Sequence, residues 1–152
     1  MMIEERNPRH ITMLEHLGGR ERLRDFVEHF HHGALADDLL GRMFARGDSS
    51  HAAHLLVFFE EVMGGPKIYS NKHNGVEALF DAHAGLAITE AQRRRFVSLM
   101  MEAADAVGLP NDERFRSALV ARIEAGSMAS MTLSQPGAKR LTPWPPVGTY
   151  DW

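Results

Sequence analysis

Cysteine is absent from this chain of 152 residues. Its absence excludes disulfides, a thiolate nucleophile, cysteine-ligated zinc, iron–sulfur clusters and any cofactor attached through thioether bonds. Long apolar runs are also absent. The longest nearly apolar stretch, Ala52 to Phe59, contains His54 and is far shorter than the roughly 20 residues that a membrane-spanning helix needs. Any metal or cofactor must therefore be held by side chains other than cysteine.

The chain also has no excess of positively charged residues. Lys and Arg number 17 against 20 Asp and Glu, which gives a formal net charge of −3. One local cluster, Arg93 to Arg95, is interpreted as a solvated helix face rather than an anion or lipid contact. Without a basic field the chain has little means of gathering phosphates, which argues against nucleic acid as a partner. The first ten residues lack the apolar core of a secretory signal, so we expect a cytoplasmic protein without membrane attachment.

The hydrophobic pattern predicts helices only. No segment alternates apolar and polar residues for long enough to indicate a strand, whereas apolar spacings of three and four recur along the chain. With 44% hydrophobic and 24% charged residues, the composition is that of one globular domain. The sequence therefore predicts an all-α fold, with helices at 11–17, 20–35, 39–44, 51–63, 75–83, 89–107 and 113–130. Core-facing stripes are predicted on the second of these (Leu23, Phe26, Val27, Phe30 and Ala34) and on the last (Phe115, Leu119 and Ile123).

Turn and capping residues set the limits of helices and domains. Residues 1–10 are predicted to form a polar arm, residues 11–134 one domain, and residues 135–152 a surface extension rich in proline and aromatic residues. The stretch Lys67 to Asn74 is predicted to be a polar loop between two helices. The expected capping residues are Asp37 with Asp38, Ser49 or Ser50, and the capping box of Thr89 with Gln92.

Histidine is frequent, with nine residues spread through the chain. His51 stands in line with Leu55, Phe58 and Val62 at positions i, i+4, i+7 and i+11 of a predicted helix. His83 lies likewise on an apolar stripe. Each alone is typical of an ordinary histidine at a helix edge. Together, two such helices separated by a Gly-Gly-Pro corner have the layout of a heme pocket, with an imidazole on each side of a flat apolar group. The stripe around His83 comprises Leu79, Phe80, Leu86 and Ile88.

A non-heme metal site is an alternative interpretation of the histidines. His51 and His54 have an i, i+3 spacing, and further candidate ligands cluster on the second helix. The H-E-x-x-H pattern is absent. No G-x-S-x-G, P-loop or dinucleotide fingerprint is present either, so hydrolase and nucleotide-binding functions have no supporting residues. The candidate ligands on the second helix are Glu28, His29, His31 and His32.

Several short motifs occur in a fixed order along the chain. The most specific is Gly64-Gly65-Pro66 followed by Tyr69, and then by His83 ahead of an apolar segment that includes Ile88. Leu17-Gly18-Gly19, Phe30 and Phe44 precede it. Over Met13 to Ser130 this order resembles group II truncated hemoglobins. The resemblance implies a two-over-two helical sandwich that holds heme b, iron protoporphyrin IX, without a covalent bond.

The resemblance also implies roles for individual residues. His83 falls on the position of the proximal iron ligand. The other expected heme contacts form three groups: one beside the iron ligand, one on the apolar distal side, and one near the heme propionates. In that order they are Leu79, Phe80 and Leu86; Leu55 and Phe58; and Tyr69, with Lys72 or His54. Phe44 is expected to pack against the heme near the turn after the short third helix, and Phe96 is a further expected contact.

Three positions depart from the family pattern. His31 replaces the usual tyrosine of the second helix, and Phe96 replaces the usual tryptophan of the long helix that follows His83. His51 stands where a small residue is common, so it is a further expected heme contact. Bound oxygen carries partial negative charge, which an N–H donor stabilises. We expect His51 to be that donor, with His31 as the second candidate.

The predicted function is the binding of oxygen, carbon monoxide or nitric oxide at heme iron, for oxygen binding, transport or sensing. Two alternatives stay open. A bis-histidine heme, closed by His31 or His51, favours redox, peroxidase-like or nitric oxide detoxifying activity with electrons from a separate reductase. A helical metal-binding or interaction module would contain no heme at all.

Overall fold

The computed structural model describes residues 11–46, 51–150 and 152, and within them every regular element is a helix. The predicted all-α fold is confirmed. The N-terminal arm and the serine caps of the fourth helix, predicted from the sequence, lie outside the described residues. The helices are α1 (Met13–Leu17), α2 (Arg20–Ala36), α3 (Gly41–Ala45), α4 (His51–Val62), α5 (Ile68–His73), α6 (Gly75–His83), α7 (Glu90–Ala106) and α8 (Glu113–Leu133).

Side chains cap the starts of several helices. At α7, Thr89 Oγ1 accepts a hydrogen bond from the Gln92 amide at 3.1 Å, and Gln92 Oε1 accepts one from the Thr89 amide at 2.9 Å. This capping box is the predicted one. A second box joins Thr12 and Glu15 at α1, where the sequence analysis identified none. Asp37 accepts hydrogen bonds from two main-chain amides in the turn before α3, as expected of a cap.

The sequence pattern predicts a polar loop from Lys67 to Asn74, and this prediction is wrong, because the segment contains helix α5. The segment is helical because two contacts from outside it hold it in place. Tyr69 is buried, with its ring 5.4 Å from that of Phe58. The Ser70 amide donates to Glu61 Oε1 at 2.8 Å, so a residue of α4 satisfies an N–H at the start of α5.

The core lies between α2 and the helices on either side of it. Helix α2 packs against α4 and α7, and α7 packs against α8. The two stripes predicted to face the core are confirmed, since each of their residues is at most 3% exposed. Fully buried side chains of this kind supply the apolar area that stabilises the fold. The stripe residues are Leu23, Phe26, Val27, Phe30, Ala34, Phe115, Leu119 and Ile123.

The two helices that carry His51 and His83 belong to different parts of the bundle. Helix α4 packs against α2 and α5, whereas α6 packs against α5 and α8. Within the described ranges, α4 and α6 share no extensive contact with each other. Helix α5 therefore joins them at one end and leaves their histidine-bearing faces unpacked against one another.

The chain after α8 returns over the bundle. Val147, Tyr150 and Trp152 pack against the core. The Tyr150 amide donates to the Val62 carbonyl at 2.5 Å, and Trp152 Nε1 donates to the Ile11 carbonyl at 3.0 Å. None of the described helices is long and apolar enough to cross a bilayer.

Candidate functional site

His83 is the last residue of α6 and is half-buried. Its Nδ1 lies 2.7 Å from the Leu79 carbonyl oxygen. A carbonyl oxygen only accepts hydrogen bonds, so Nδ1 carries the proton and Nε2 carries the lone pair. Burial lowers the pKa of His83 below its ordinary value of 6.5. The hydrogen bond to Leu79 raises the pKa, but its effect is smaller than that of burial. A neutral imidazole with one nitrogen fixed by a main-chain carbonyl is typical of a metal ligand.

The apolar residues around His83 differ in burial and in what they contact. Leu79, Leu86 and Ile88 are half-buried. Phe80 is buried, and its ring centroid lies 5.7 Å from that of Trp144. The structure thus places the Phe80 ring against the chain that follows α8, and its assignment as a heme contact stays a prediction.

Three rings from α2, α3 and α4 meet in what we call the distal cluster: His31, Phe44 and His51. The centroids of His31 and His51 are 5.2 Å apart, with the rings at 89° to each other. Phe44 stacks on His51, with centroids 5.2 Å apart and an angle of 28°. Phe96 of α7 reaches the cluster through Phe30, which contacts both Phe96 and Phe44. The structure therefore brings together four residues that the sequence analysis selected separately.

His31 has an unusual environment within the distal cluster. Its Nε2 is buried, and no residue that the structure describes accepts from it or donates to it. Burial, followed by the charge of His32, lowers the pKa of His31. Buried polar atoms of proteins nearly always have a hydrogen-bond partner. An unpartnered ring nitrogen at this point therefore fits a site that receives a polar ligand.

A second aromatic group lies at the junction of α4 and α5. The rings of His54 and His73 are 5.0 Å apart, and those of Tyr69 and His73 are 6.0 Å apart. Burial, with a smaller effect of the Glu61 carboxylate, raises the pKa of Tyr69 to about 12. His73 was not selected from the sequence. Its position four residues after Tyr69 would have indicated it, had the segment been predicted as a helix.

Lys72 is exposed on α5, whereas Leu55 and Phe58 on α4 are half-buried and pack against the core. Leu55 and Phe58 lie on the same helix as His51 of the distal cluster. A flat apolar group that carries a metal ion fits this arrangement, because it would cover the half-buried side chains and place the metal near an imidazole.

The geometry does not support the alternative of a non-heme metal site. Among the described residues, no three histidine, aspartate or glutamate side chains are placed to hold one metal ion. His29 and His32 line an open cleft that also involves Arg22 and Asp25. His31 instead turns toward Phe44 and His51. The histidines of α2 therefore do not act as one ligand set.

Comparison with known proteins identifies a family and similar folds. The family model for bacterial-like globins matches residues 12–129. No curated protein matches the chain. The solved structure of the group II truncated hemoglobin from Bacillus anthracis is similar, with a TM-score of 0.74 and 20% identity. That similarity covers 85% of this chain and 97% of the other, and at this identity it describes the fold.

Two further solved structures have higher identity. The hemoglobin of the thermophilic phototrophic bacterium Chloroflexus aurantiacus is 26% identical, with a TM-score of 0.71 over 80% of this chain and 98% of that one. The truncated oxygen-avid haemoglobin of Bacillus subtilis is also 26% identical, with a TM-score of 0.70 over 79% of this chain and 98% of that one.

Proposed function

Because the chain belongs to the bacterial-like globin family, we propose that it binds heme b non-covalently through His83 and a diatomic gas at the iron. The observation that carries the proposal is the hydrogen bond from His83 Nδ1 to the Leu79 carbonyl. This hydrogen bond leaves the lone pair of Nε2 available for iron. His83 lies at the end of α6, which shares no extensive contact with α4 within the described ranges. When bound, heme supplies an iron with one open coordination position for oxygen, carbon monoxide or nitric oxide.

The side chains of this protein provide the surroundings of the gas. The half-buried apolar residues of α4 exclude water from the site, and the neutral His83 imidazole is held in one orientation by Leu79. His51 donates an N–H hydrogen bond to the gas, with His31 as the second donor. Near the propionates we place Tyr69 with His54 or Lys72, to which the structure adds His73 as a neighbour.

A second function is favoured by the buried Nε2 of His31. The Nε2 of His31, which has no hydrogen-bond partner among the described residues, could itself hold the iron and close the position that the gas would take. The His51 imidazole beside it is the second candidate. A protein in which two histidines hold the iron would suit electron transfer, or peroxidase-like or nitric oxide detoxifying activity in which a distal histidine moves protons. Electrons would come from a separate reductase.

The first test is the absorption spectrum of the purified protein, ferric and then reduced, with and without carbon monoxide. We expect a Soret band that is lost in His83→Ala and kept in His32→Ala, the matched control, because His32 is exposed on α2. Free imidazole should restore the band in His83→Gly. A reduced, gas-free spectrum of the low-spin, six-coordinate type would favour the second function.

Two outcomes would contradict heme binding through His83. One is a colourless protein that takes up no added hemin. The other is an unchanged spectrum in His83→Ala, which would show that another residue holds the iron.

A further inference from the structure

The chain just after α8 contacts the segment that carries His83. We call residues 134–144 the C-terminal clamp. It lies beyond the part of the chain that matches the globin family, which ends at residue 129. Its contacts fall on two places: the turn that follows His83, and the outer face of α6.

Hydrogen bonds from the start of the clamp fix the turn after His83. The Ala87 amide donates to the Ser134 carbonyl, and the Ile88 amide donates to Ser134 Oγ, both at 2.9 Å. Gln135 Nε2 donates back to the Ile88 carbonyl at 2.9 Å. Ser134 is fully buried. Ala87 has a φ of +49°, in the left-handed region that alanine rarely adopts, so these bonds hold an otherwise unfavourable turn.

Arg140 of the clamp holds the outer face of α6. Its guanidinium donates to Glu77 at 2.5 Å and to Asp81 at 2.8 Å. The same group lies 5.3 Å from the centroid of the Phe80 ring and 5.2 Å from that of Trp144. Two ion pairs and one cation–π contact therefore join Arg140 to α6, and a second cation–π contact joins it to Trp144 within the clamp. Phe80 lies three residues before His83.

We propose that the C-terminal clamp positions the proximal helix, and that Arg140 is its central positioning residue. His83 stands between the two places that the clamp holds, Phe80 before it and Ala87 after it. Apart from the clamp, the extensive contacts of α6 with other described helices are those with α5 and α8. The orientation of the His83 imidazole thus depends on residues outside the family match. The part of this inference that concerns iron rests on the proposed function.

The chain offers a matched control for Arg140. Arg114 also holds a tryptophan of the returning chain, because its guanidinium lies 4.7 Å from the Trp152 ring centroid and donates to the Trp152 carbonyl. Arg114 does so at the start of α8, away from α6. Arg140→Met and Arg114→Met therefore remove the same kind of contact at the two ends of the returning chain.

Three measurements on the protein as purified compare these variants. Arg140→Met should speed hydrogen exchange in residues 76–88 and should shift the iron–histidine stretching frequency of the reduced, gas-free form. The variant should also transfer hemin to apomyoglobin about three- to tenfold faster. This is the change in rate expected when one cation–π contact and two exposed ion pairs with α6 are lost. Arg114→Met should leave all three unchanged, and Arg140→Lys should restore part of the effect.

The proposal fails if Arg140→Met and Arg114→Met give the same exchange in residues 76–88, or if the stretching frequency is the same in both. A protein that contains no heme would contradict the proposed function alone. In that case the exchange comparison still decides whether the clamp orders α6.

Discussion

At the scale of single residues, the distal cluster places two histidine rings next to each other. Their centroids are 5.2 Å apart, and the stacking of Phe44 on His51 restricts the position of that ring. His31 enters the cluster from α2 with a buried and unpartnered Nε2 in the described structure. A change in either imidazole therefore alters the environment of the other.

This coupling predicts the behaviour of variants in oxygen release. In His31→Phe with His51→Ala, the oxygen dissociation rate should rise about ten- to hundredfold, because one lost hydrogen bond costs about 1–3 kcal/mol. The free-energy changes of the two single variants, calculated from their oxygen dissociation rates, should not add up to that of the double variant, because contacting residues are energetically coupled. Stopped-flow measurement of oxygen release checks this. An unchanged rate in the double variant would remove both distal assignments, and His29→Ala, at an exposed histidine of α2, is the control.

At the scale of elements, α5 depends on a side chain outside itself. Glu61 is 2% exposed, and both of its carboxylate oxygens accept hydrogen bonds from Ser70, one from the amide and one from the hydroxyl. Negative charge near a helix start is favourable for the helix. Tyr69 is buried in the same region, so the capping of α5 also maintains a side of the proposed site.

Removal of this cap should unfold α5 locally. Glu61→Ala should lower the free energy of unfolding by about 2 kcal/mol, because it leaves the Ser70 N–H and hydroxyl without their acceptor. Hydrogen exchange should speed in residues 68–73. Glu61→Gln keeps an acceptor oxygen and should lose much less. Equal exchange in α5 for both variants would mean that Tyr69 packing alone holds the helix.

The same elements explain what the sequence predicted and what it did not. The stripes of α2 and α8 and the capping box at Thr89 depend on residues a few positions apart, which a sequence pattern records directly. The resemblance to group II truncated hemoglobins is confirmed by the family match and by the similar structures. Helix α5 was missed because Glu61 reaches it from another helix. The contact of His31 with His51 likewise appears only when α2 and α4 pack together.

At the scale of the whole molecule, the core is complete on one side and partly exposed on the other. Phe26, Met100 and Leu119, which come from α2, α7 and α8, are fully buried, whereas Leu55, Phe58, Leu86 and Phe96 are half-buried. Apolar area that remains accessible to solvent contributes less to stability than buried area. A group that covers these side chains would therefore stabilise the entire domain.

Heme removal should accordingly lower the thermal stability of the protein. A ligand present at a thousand times its dissociation constant stabilises the folded state by about 4 kcal/mol. Calorimetry of the protein with and without hemin should show this difference. Iron-free protoporphyrin should give a smaller increase, because it has no bond to His83, and His83→Ala should respond to both compounds alike. An equal melting temperature with and without hemin would contradict the proposed site.

The bond from Trp152 Nε1 to the Ile11 carbonyl joins residues 141 positions apart in the chain. Closing so long a loop is entropically unfavourable until the helices between its ends have folded, so we expect this contact to form late. A contact that forms late affects the unfolding rate far more than the folding rate. We therefore expect the returning chain to slow the unfolding of the molecule, and to have little influence on how quickly it folds.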